Sequence, residues 1–177
     1  MKKGLYFFLL IIASTSINAY AKFYVCKSKY ALCTTAACTS LSGKNKLASC
    51  KCNVVTGYSA GTKPCKSAKQ TRHGELIYSR YYPIKSYVAC SNNRPWAWYL
   101  DMPCLIDKNN NSKASCSCSV VSNLGAYVIV PTSKNISKAC TTGLISSATI
   151  PQSNEITAFL KTQKNLQPFP VKVYHEK

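Results

Sequence analysis

The rhythm of hydrophobic and polar positions changes along the chain. Leu5–Ala13 (LYFFLLIIA) is one uninterrupted apolar run. After it, apolar residues come in short bursts separated by turn-forming clusters, notably Ser42-Gly43-Lys44-Asn45-Lys46 and Asp107-Lys108-Asn109-Asn110-Asn111. Gly, Asn, Asp and Ser between short segments read as turns. They predict two hairpins, 36–41 with 47–55 and 102–106 with 113–121. Towards the C-terminus Ile156, Phe159, Leu160 and Gln163 follow helical spacing. This predicts a helix over 154–165, with Ser153 as its cap and Glu155 in its first turn. Pro168 and Pro170 end it, and Val171–Tyr174 reads as a final strand.

The first apolar run follows Lys2 and Lys3 and precedes Ala19-Tyr20-Ala21, with small residues at the two positions that a signal peptidase reads. Residues 1–21 are therefore expected to be an export signal cut after Ala21. The run is about half the length of a membrane span, so the mature chain is not expected to span a membrane. It would be secreted or periplasmic. In an oxidising compartment the 11 cysteines read first as disulfides. Eleven is odd, so one thiol is left over and could link a covalent dimer.

A repeat organises the mature chain. Residues 48–55 (ASCKCNVV) and 114–121 (ASCSCSVV) match at six of eight positions, at an offset of 66. The offset carries Cys38, Cys50 and Cys52 onto Cys104, Cys116 and Cys118, and carries Cys33 onto Tyr99. Cys26 and Cys65 find counterparts in Cys90 and Cys140 after small insertions. The expected organisation is a cysteine-rich module over 22–70, a linker over 71–82, a second module over 83–143 and an extension over 144–177. The fold class expected is mostly β and disulfide-rich: two tandem hairpin modules plus one C-terminal helix packed on them. Within each C-x-C the two cysteines share a strand face, which should look into the core.

The spacing Cys26-x6-Cys33-x4-Cys38-x11-Cys50-x-Cys52-x12-Cys65, with Gly57-Tyr58 following the C-x-C, resembles an EGF-like module. That resemblance implies the pairings Cys26–Cys38, Cys33–Cys50 and Cys52–Cys65. Carried onto the second unit it implies Cys90–Cys104 and Cys118–Cys140, with Cys116 as the free thiol. Gly57-Tyr58 lies two residues late for that pattern and no acidic calcium motif precedes Cys26 or Cys90. Pairing between the modules would instead make Cys33 the odd cysteine. The mature chain, through Ser79-Arg80-Tyr81-Tyr82-Pro83 and Pro95-Trp96-Ala97-Trp98, also resembles an uncharacterised family of exported, cysteine-rich bacterial proteins. That implies an envelope or extracellular setting and no particular activity.

Charge narrows the function. The formal net charge is +18, and residues 22–89 hold twelve basic residues against the single acid Glu75. Such a surface attracts polyanions: glycan, lipopolysaccharide or nucleic acid. Lys outnumbers Arg by 20 to 3, which argues against bidentate phosphate reading. The residues expected to bind are Lys44, Lys46 and Lys51 on the first hairpin. With them come Arg80, Tyr81, Tyr82, Arg94, Trp96 and Trp98, an aromatic stretch that could stack on sugars or bases or else pack the core. Tyr99, in a cysteine's place, reads as structural. Five acids in the chain give no carboxylate pair of the glycosidase kind. No nucleophile elbow, zinc-protease motif or phosphate loop is present, and no cofactor or metal is expected. The expected role is non-enzymatic binding or surface interaction. The alternatives are a small cationic nuclease using His73 and His175, a structural envelope component, or an inhibitor of a protein partner. Asn110 and Asn135 lie in glycosylation sequons.

Overall fold

The structure is a computed structural model that describes residues 22–43, 46–82, 86–91, 93–122, 125–129, 140–141, 143–164, 166 and 172–175. The expected export signal, 1–21, lies outside them. The fold is mostly β and disulfide-rich, with one described helix. In chain order the strands are β1 (Tyr24–Leu32), β2 (Ala37–Ser40), β3 (Leu47–Gly61), β4 (Lys69–Thr71), β5 (Gly74–Arg80) and β6 (Ser86–Cys90). They continue with β7 (Trp96–Trp98), β8 (Pro103–Asp107), β9 (Asn110–Val121), β10 (Tyr127–Ile129) and β11 (Leu144–Ser147). Helix α1 (Ile150–Lys161) and β12 (Lys172–His175) follow. No described helix is long and apolar enough to cross a membrane.

Both expected hairpins form. β2 pairs with β3 through Cys38↔Cys50, Thr39↔Ser49 and Ser40↔Ala48; β8 pairs with β9 through Cys104↔Cys116, Leu105↔Ser115 and Ile106↔Ala114. Adding 66 to the first set gives the second. The two hairpins also meet each other, β3 against β9, antiparallel, with Cys50 opposite Cys116. Around that pair the register is reciprocal: Ala48 faces Cys118, and Cys52 faces Ala114, the positional equivalents of Cys52 and Ala48. A contact in which i meets j and j meets i is the signature of a two-fold arrangement. Here it lies inside one chain.

The remaining strands close this frame into two rings that share β3 and β9. One runs β3–β9–β8–β5–β1, the other β9–β3–β2–β11–β7. Each closing strand joins parts of both halves. β5 pairs antiparallel with β8 and parallel with β1, and β11 does the same with β2 and β7. The two units are thus not beads on a string. Residues 71–82, expected to be a linker, hold β5, and that strand is a full member of the sheet. Closure leaves few unpaired edges for another chain to add to.

Two buried serines lock the corners of this frame, and both are fully excluded from solvent. Ser79 Oγ donates to Tyr99 O and accepts the Met102 N–H at 2.9 Å. Ser146 Oγ donates to Cys33 O and accepts the Ala36 N–H at 2.8 Å. Between those partners, Asp101 (φ 57°) and Thr35 (φ 62°) are the described non-glycine residues with positive φ. They too are 66 positions apart. Left-handed backbone is tolerated by Asp and costly for β-branched Thr, so the serine clamp holds a conformation the chain would otherwise avoid.

The halves part company outside this frame. β1 is continuous and pairs with the far half of β3 from Tyr24↔Gly61 to Leu32↔Asn53. The second half breaks its equivalents into β6 plus β7 and β9 plus β10. β6 then anchors a separate three-stranded sheet, β10–β6–β12. Helix α1 starts four residues earlier than expected. Thr149, not Ser153, is its cap, in a reciprocal capping box with Gln152, and Pro151 fills the first turn. Glu155 lies beyond that turn. Ile156 and Leu160 pack on Ala60 and Tyr81, as an amphipathic helix on a sheet should. The final strand appears as β12.

Cys33, Cys50, Cys52, Cys104, Cys116 and Cys118 form the centre of the core together with Ala31, Ala48, Ile77, Ala97, Tyr99 and Ile106. As the C-x-C spacing implies, Cys50 and Cys52 are both buried, and so are Cys116 and Cys118. The pairings differ from all five implied by the EGF-like resemblance. The bridges are Cys26–Cys65, Cys33–Cys52, Cys38–Cys50, Cys90–Cys140 and Cys104–Cys116. The free cysteine is Cys118, not Cys116 or Cys33. Register explains the difference. Cys38 and Cys104 sit directly opposite Cys50 and Cys116 on hairpin partners, at a Cα separation of 4.0 Å, so third pairs with fourth and the others nest outside. Cys118 corresponds to Cys52, and Tyr99 to its partner Cys33.

Candidate functional site

The residues expected to bind separate into three groups. Lys46 and Lys51 are exposed, Lys46 in the β2–β3 turn and Lys51 on β3; Lys44 lies outside the described residues. Tyr82 (43% exposed) and Arg94 are at the surface, and Trp98 is half-buried. Arg80, Tyr81 and Trp96 are interior. Trp96 is 1% exposed and stacks on Tyr127 at 5.7 Å between ring centroids. Tyr81 is buried with its hydroxyl 2.8 Å from Thr157 Oγ1. Tyr81 and Trp96 are therefore core, which leaves Tyr82 exposed and Trp98 half-buried as the rings of the expected set that reach the surface. Small disulfide domains have few large aliphatics, and buried aromatics supply the missing volume.

Arg80 is the hub of a different arrangement. Its guanidinium forms a buried ion pair with Asp101, Nη1 to Oδ1 at 2.6 Å. Nη1 also donates to Lys63 O at 2.9 Å, and Nη2 to Tyr24 O at 2.8 Å and to Cys26 Sγ at 2.9 Å. Asp101 Oδ2 accepts the Thr62 N–H (2.7 Å), the Thr62 hydroxyl (2.9 Å) and the Lys63 N–H (3.2 Å). The pair thus ties β5 to the exposed segment after β3, which Cys26–Cys65 fastens to β1. Gly61 leaves the room, since a Cβ there would overlap Asp101 Oδ1 and Arg80 Nη1. Asp101 was not singled out by sequence; that it is one of only five acids in the chain was the available clue.

Beside this pair lies a cavity of about 40 Å³, lined among others by Lys29, Lys63, Lys66, Tyr78, Arg80 and Asp101. Four basic residues line it against one acid. Lys66 Nζ lies 4.9 Å from the Tyr78 ring centroid, and nearby Lys27 lies 5.4 Å from that of Tyr58. Lys29 is paired with Glu75 at 2.9 Å. Tyr30 forms the inner wall; burial, with a smaller contribution from Tyr82, pushes its hydroxyl up to about 12. The lining offers four cations, two phenols (Tyr30 and Tyr78) and a hydroxyl from Ser28, against the one carboxylate of Asp101. This chemistry suits anion recognition.

The remaining candidates are not assembled into a reactive centre. His73 is exposed in the β4–β5 turn of the large sheet, and His175 belongs to β12 in the other sheet. The Sγ atoms of Cys33, Cys52 and Cys116 lie within 4.8 Å of one another, but all three cysteines are in disulfides and offer no thiolate to a metal. Burial pushes the Cys118 thiol up to about 12, so it is neither nucleophilic nor placed to bridge a second chain. Desolvation likewise raises Tyr99, whose hydroxyl lies 3.0 Å from Thr34 Oγ1.

Comparison with known proteins gives no relative: no family, no curated protein and no solved structure matches the chain.

Proposed function

We propose that this is an exported, non-enzymatic binding protein that holds polyanionic glycans through the basic cleft of its first half. The observation that carries the reading is the cluster of Lys63 and Lys66 beside Tyr78, on a segment braced by Cys26–Cys65 and by the Arg80–Asp101 pair. A braced cationic surface loses little side-chain and loop entropy on binding. Export is supported by five disulfides and by the Leu5–Ala13 run ahead of Ala19-Tyr20-Ala21. Glycan is preferred to nucleic acid because two of the rings that could stack on bases, Tyr81 and Trp96, are buried, and Lys outnumbers Arg by 20 to 3. The matched registers, serine clamps and bridges also support an origin by internal duplication.

The reading is tested by salt elution of the oxidised protein from an immobilised sulfated polysaccharide, beside a basic protein of equal size and charge. Retention beyond the control is expected. The double variant Lys63→Gln/Lys66→Gln should elute at clearly lower salt, with a shallower salt dependence. Coelution with the control, or no effect of the double variant, would sink the reading.

A further inference from the structure

Of the bridged cysteines, Cys65 is the exposed one. Every residue from 62 to 70 is exposed, and Lys63 and Lys66 flank Cys65 closely in that stretch. Its partner is the opposite case. Cys26 is 4% exposed, and its Sγ receives an N–H of the buried Arg80 guanidinium, with Nη2 at 2.9 Å. A disulfide sulfur is a weak acceptor, so a charged donor spent on it returns little while the bridge is closed. A thiolate in the same place accepts a charge-assisted hydrogen bond. Asp101 offsets part of the Arg80 charge and Glu75 part of the Lys29 charge, but Lys63 and Lys66 share with Cys26 the lining of the cavity. The surroundings of Cys26 therefore favour an open bridge with the negative charge on that sulfur.

We propose that Cys26–Cys65 is a thiol–disulfide exchange site, which takes an anionic thiol as a mixed disulfide on Cys65. The incoming thiolate attacks Cys65 Sγ and forms the new S–S bond. The Cys26–Cys65 bond breaks, and its electron pair leaves on Cys26 as a thiolate facing Arg80. One disulfide replaces another, so the step needs no further oxidant or reductant. Attack by Cys26 on the mixed disulfide restores the bridge and releases the thiol. Access selects the sulfur that is attacked, and a stabilised leaving thiolate departs faster. Lys63 and Lys66 favour a thiol that carries carboxylates. The equivalent outer bridge, Cys90–Cys140, differs in both respects: its cysteines are 0% and 2% exposed, and Ser147 stands in the place of Arg80. The proposal goes beyond the polyanion reading, because no glycan takes part in the exchange.

The test treats the oxidised protein with reduced glutathione, or with cysteamine at equal thiolate concentration, followed by acid quenching and peptide mapping. The first product expected from glutathione carries one glutathione on Cys65 and a free thiol on Cys26, with the other four bridges intact. Earlier opening of another bridge, or an adduct on Cys26, would overturn the site. Glutathione should react faster than cysteamine by roughly tenfold, as a charged cleft steers its ligand, and Lys63→Gln/Lys66→Gln should remove the difference. Equal rates in the unaltered protein would overturn the anionic ligand class. The acid-trapped adduct is then freed of excess thiol, and bridge closure is followed against pH by the glutathione released. Closure reads the thiolate fraction of Cys26, and its midpoint should lie at least about one unit below the ordinary thiol value of ~8.5. In Arg80→Met/Asp101→Asn, with the other four bridges mapped as intact, the midpoint should return to that value or rise above it. The same midpoint in both proteins would show that Arg80 does not hold the thiolate and would overturn its part in the exchange.

Discussion

The two halves of this chain share one frame and differ in what fills it. Both carry a hairpin bridged at Cα–Cα 4.0 Å, an outer bridge (Cys26–Cys65 or Cys90–Cys140) and a serine-clamped corner. The first half adds Cys33–Cys52. The second puts Tyr99 and the unpaired Cys118 in those places. Each corner draws on both halves: one places Arg80 beside Asp101, and its counterpart has Ser147 and Thr35 in those positions. An inner disulfide is thus exchangeable for aromatic volume, whereas the hairpin bridge, the outer bridge and the serine are present twice. Charge chemistry gathers where the symmetry is broken.

The sharpest way to break the comparison is at the ion pair. Arg80→Met strands a buried carboxylate and should cost about 3–5 kcal/mol in urea denaturation, while Arg80→Met/Asp101→Asn should recover much of it. An equal cost for both variants would mean that packing, not charge, holds the corner. Next, Tyr99→Cys should restore the sixth bridge of the frame. Peptide mapping would then find the new cysteine joined to Cys118 and no free thiol. A variant that oxidises with any other cysteine would refute the correspondence of Cys33–Cys52 with Tyr99 and Cys118.

Smaller effects follow from titration and from the surface. Folding raises the Cys118 thiol from 9.0 to about 12 and the Tyr30 hydroxyl from 10.0 to about 12. The unfolded chain therefore loses these protons first. The stability tied to the neutral groups is complete below pH 9 and declines as pH rises from 9 towards about 12. Urea midpoints should fall across that window, and Cys118 should resist alkylation at pH 8 until the protein is unfolded. A native-state reaction as fast as that of the unfolded chain would contradict its burial. Smallest of all, Glu75→Gln releases Lys29 from an exposed pair worth about 0.2–1 kcal/mol. Retention on the polysaccharide should rise slightly. A fall would show that Glu75 itself faces the ligand.

Local chemistry was legible in the sequence and long-range partnership was not. Turn residues and period-two patterning marked both hairpins and the inward face of each C-x-C. Thr149 and Gln152 with Pro151 between them were a readable capping box, overlooked in favour of Ser153 and Glu155. β5 was hidden because Thr71-Arg72-His73-Gly74 reads as loop and its partners, β8 and β1, are distant in sequence. Ser79 and Ser146 look like surface residues until the corner they clamp is seen. The offset already placed Tyr99 opposite Cys33; only the borrowed disulfide pairing turned the leftover thiol into Cys116. The site was half visible: its lysines announce themselves by charge, but nothing local tells that Arg80 is interior and that Trp96 is core.

The interleaving of β5 and β11 sets the order in which this polypeptide can acquire its shape. β2 cannot complete its pairing until Leu144 and Ile145 arrive, more than a hundred residues after Cys38. Neither half can finish folding before the other has been made. So high a contact order slows folding and leaves cysteines open to wrong neighbours such as Cys33 with Cys38. Maturation is then expected to depend on disulfide isomerisation once the whole chain is present, and a truncated first half should scramble its bridges instead of folding early.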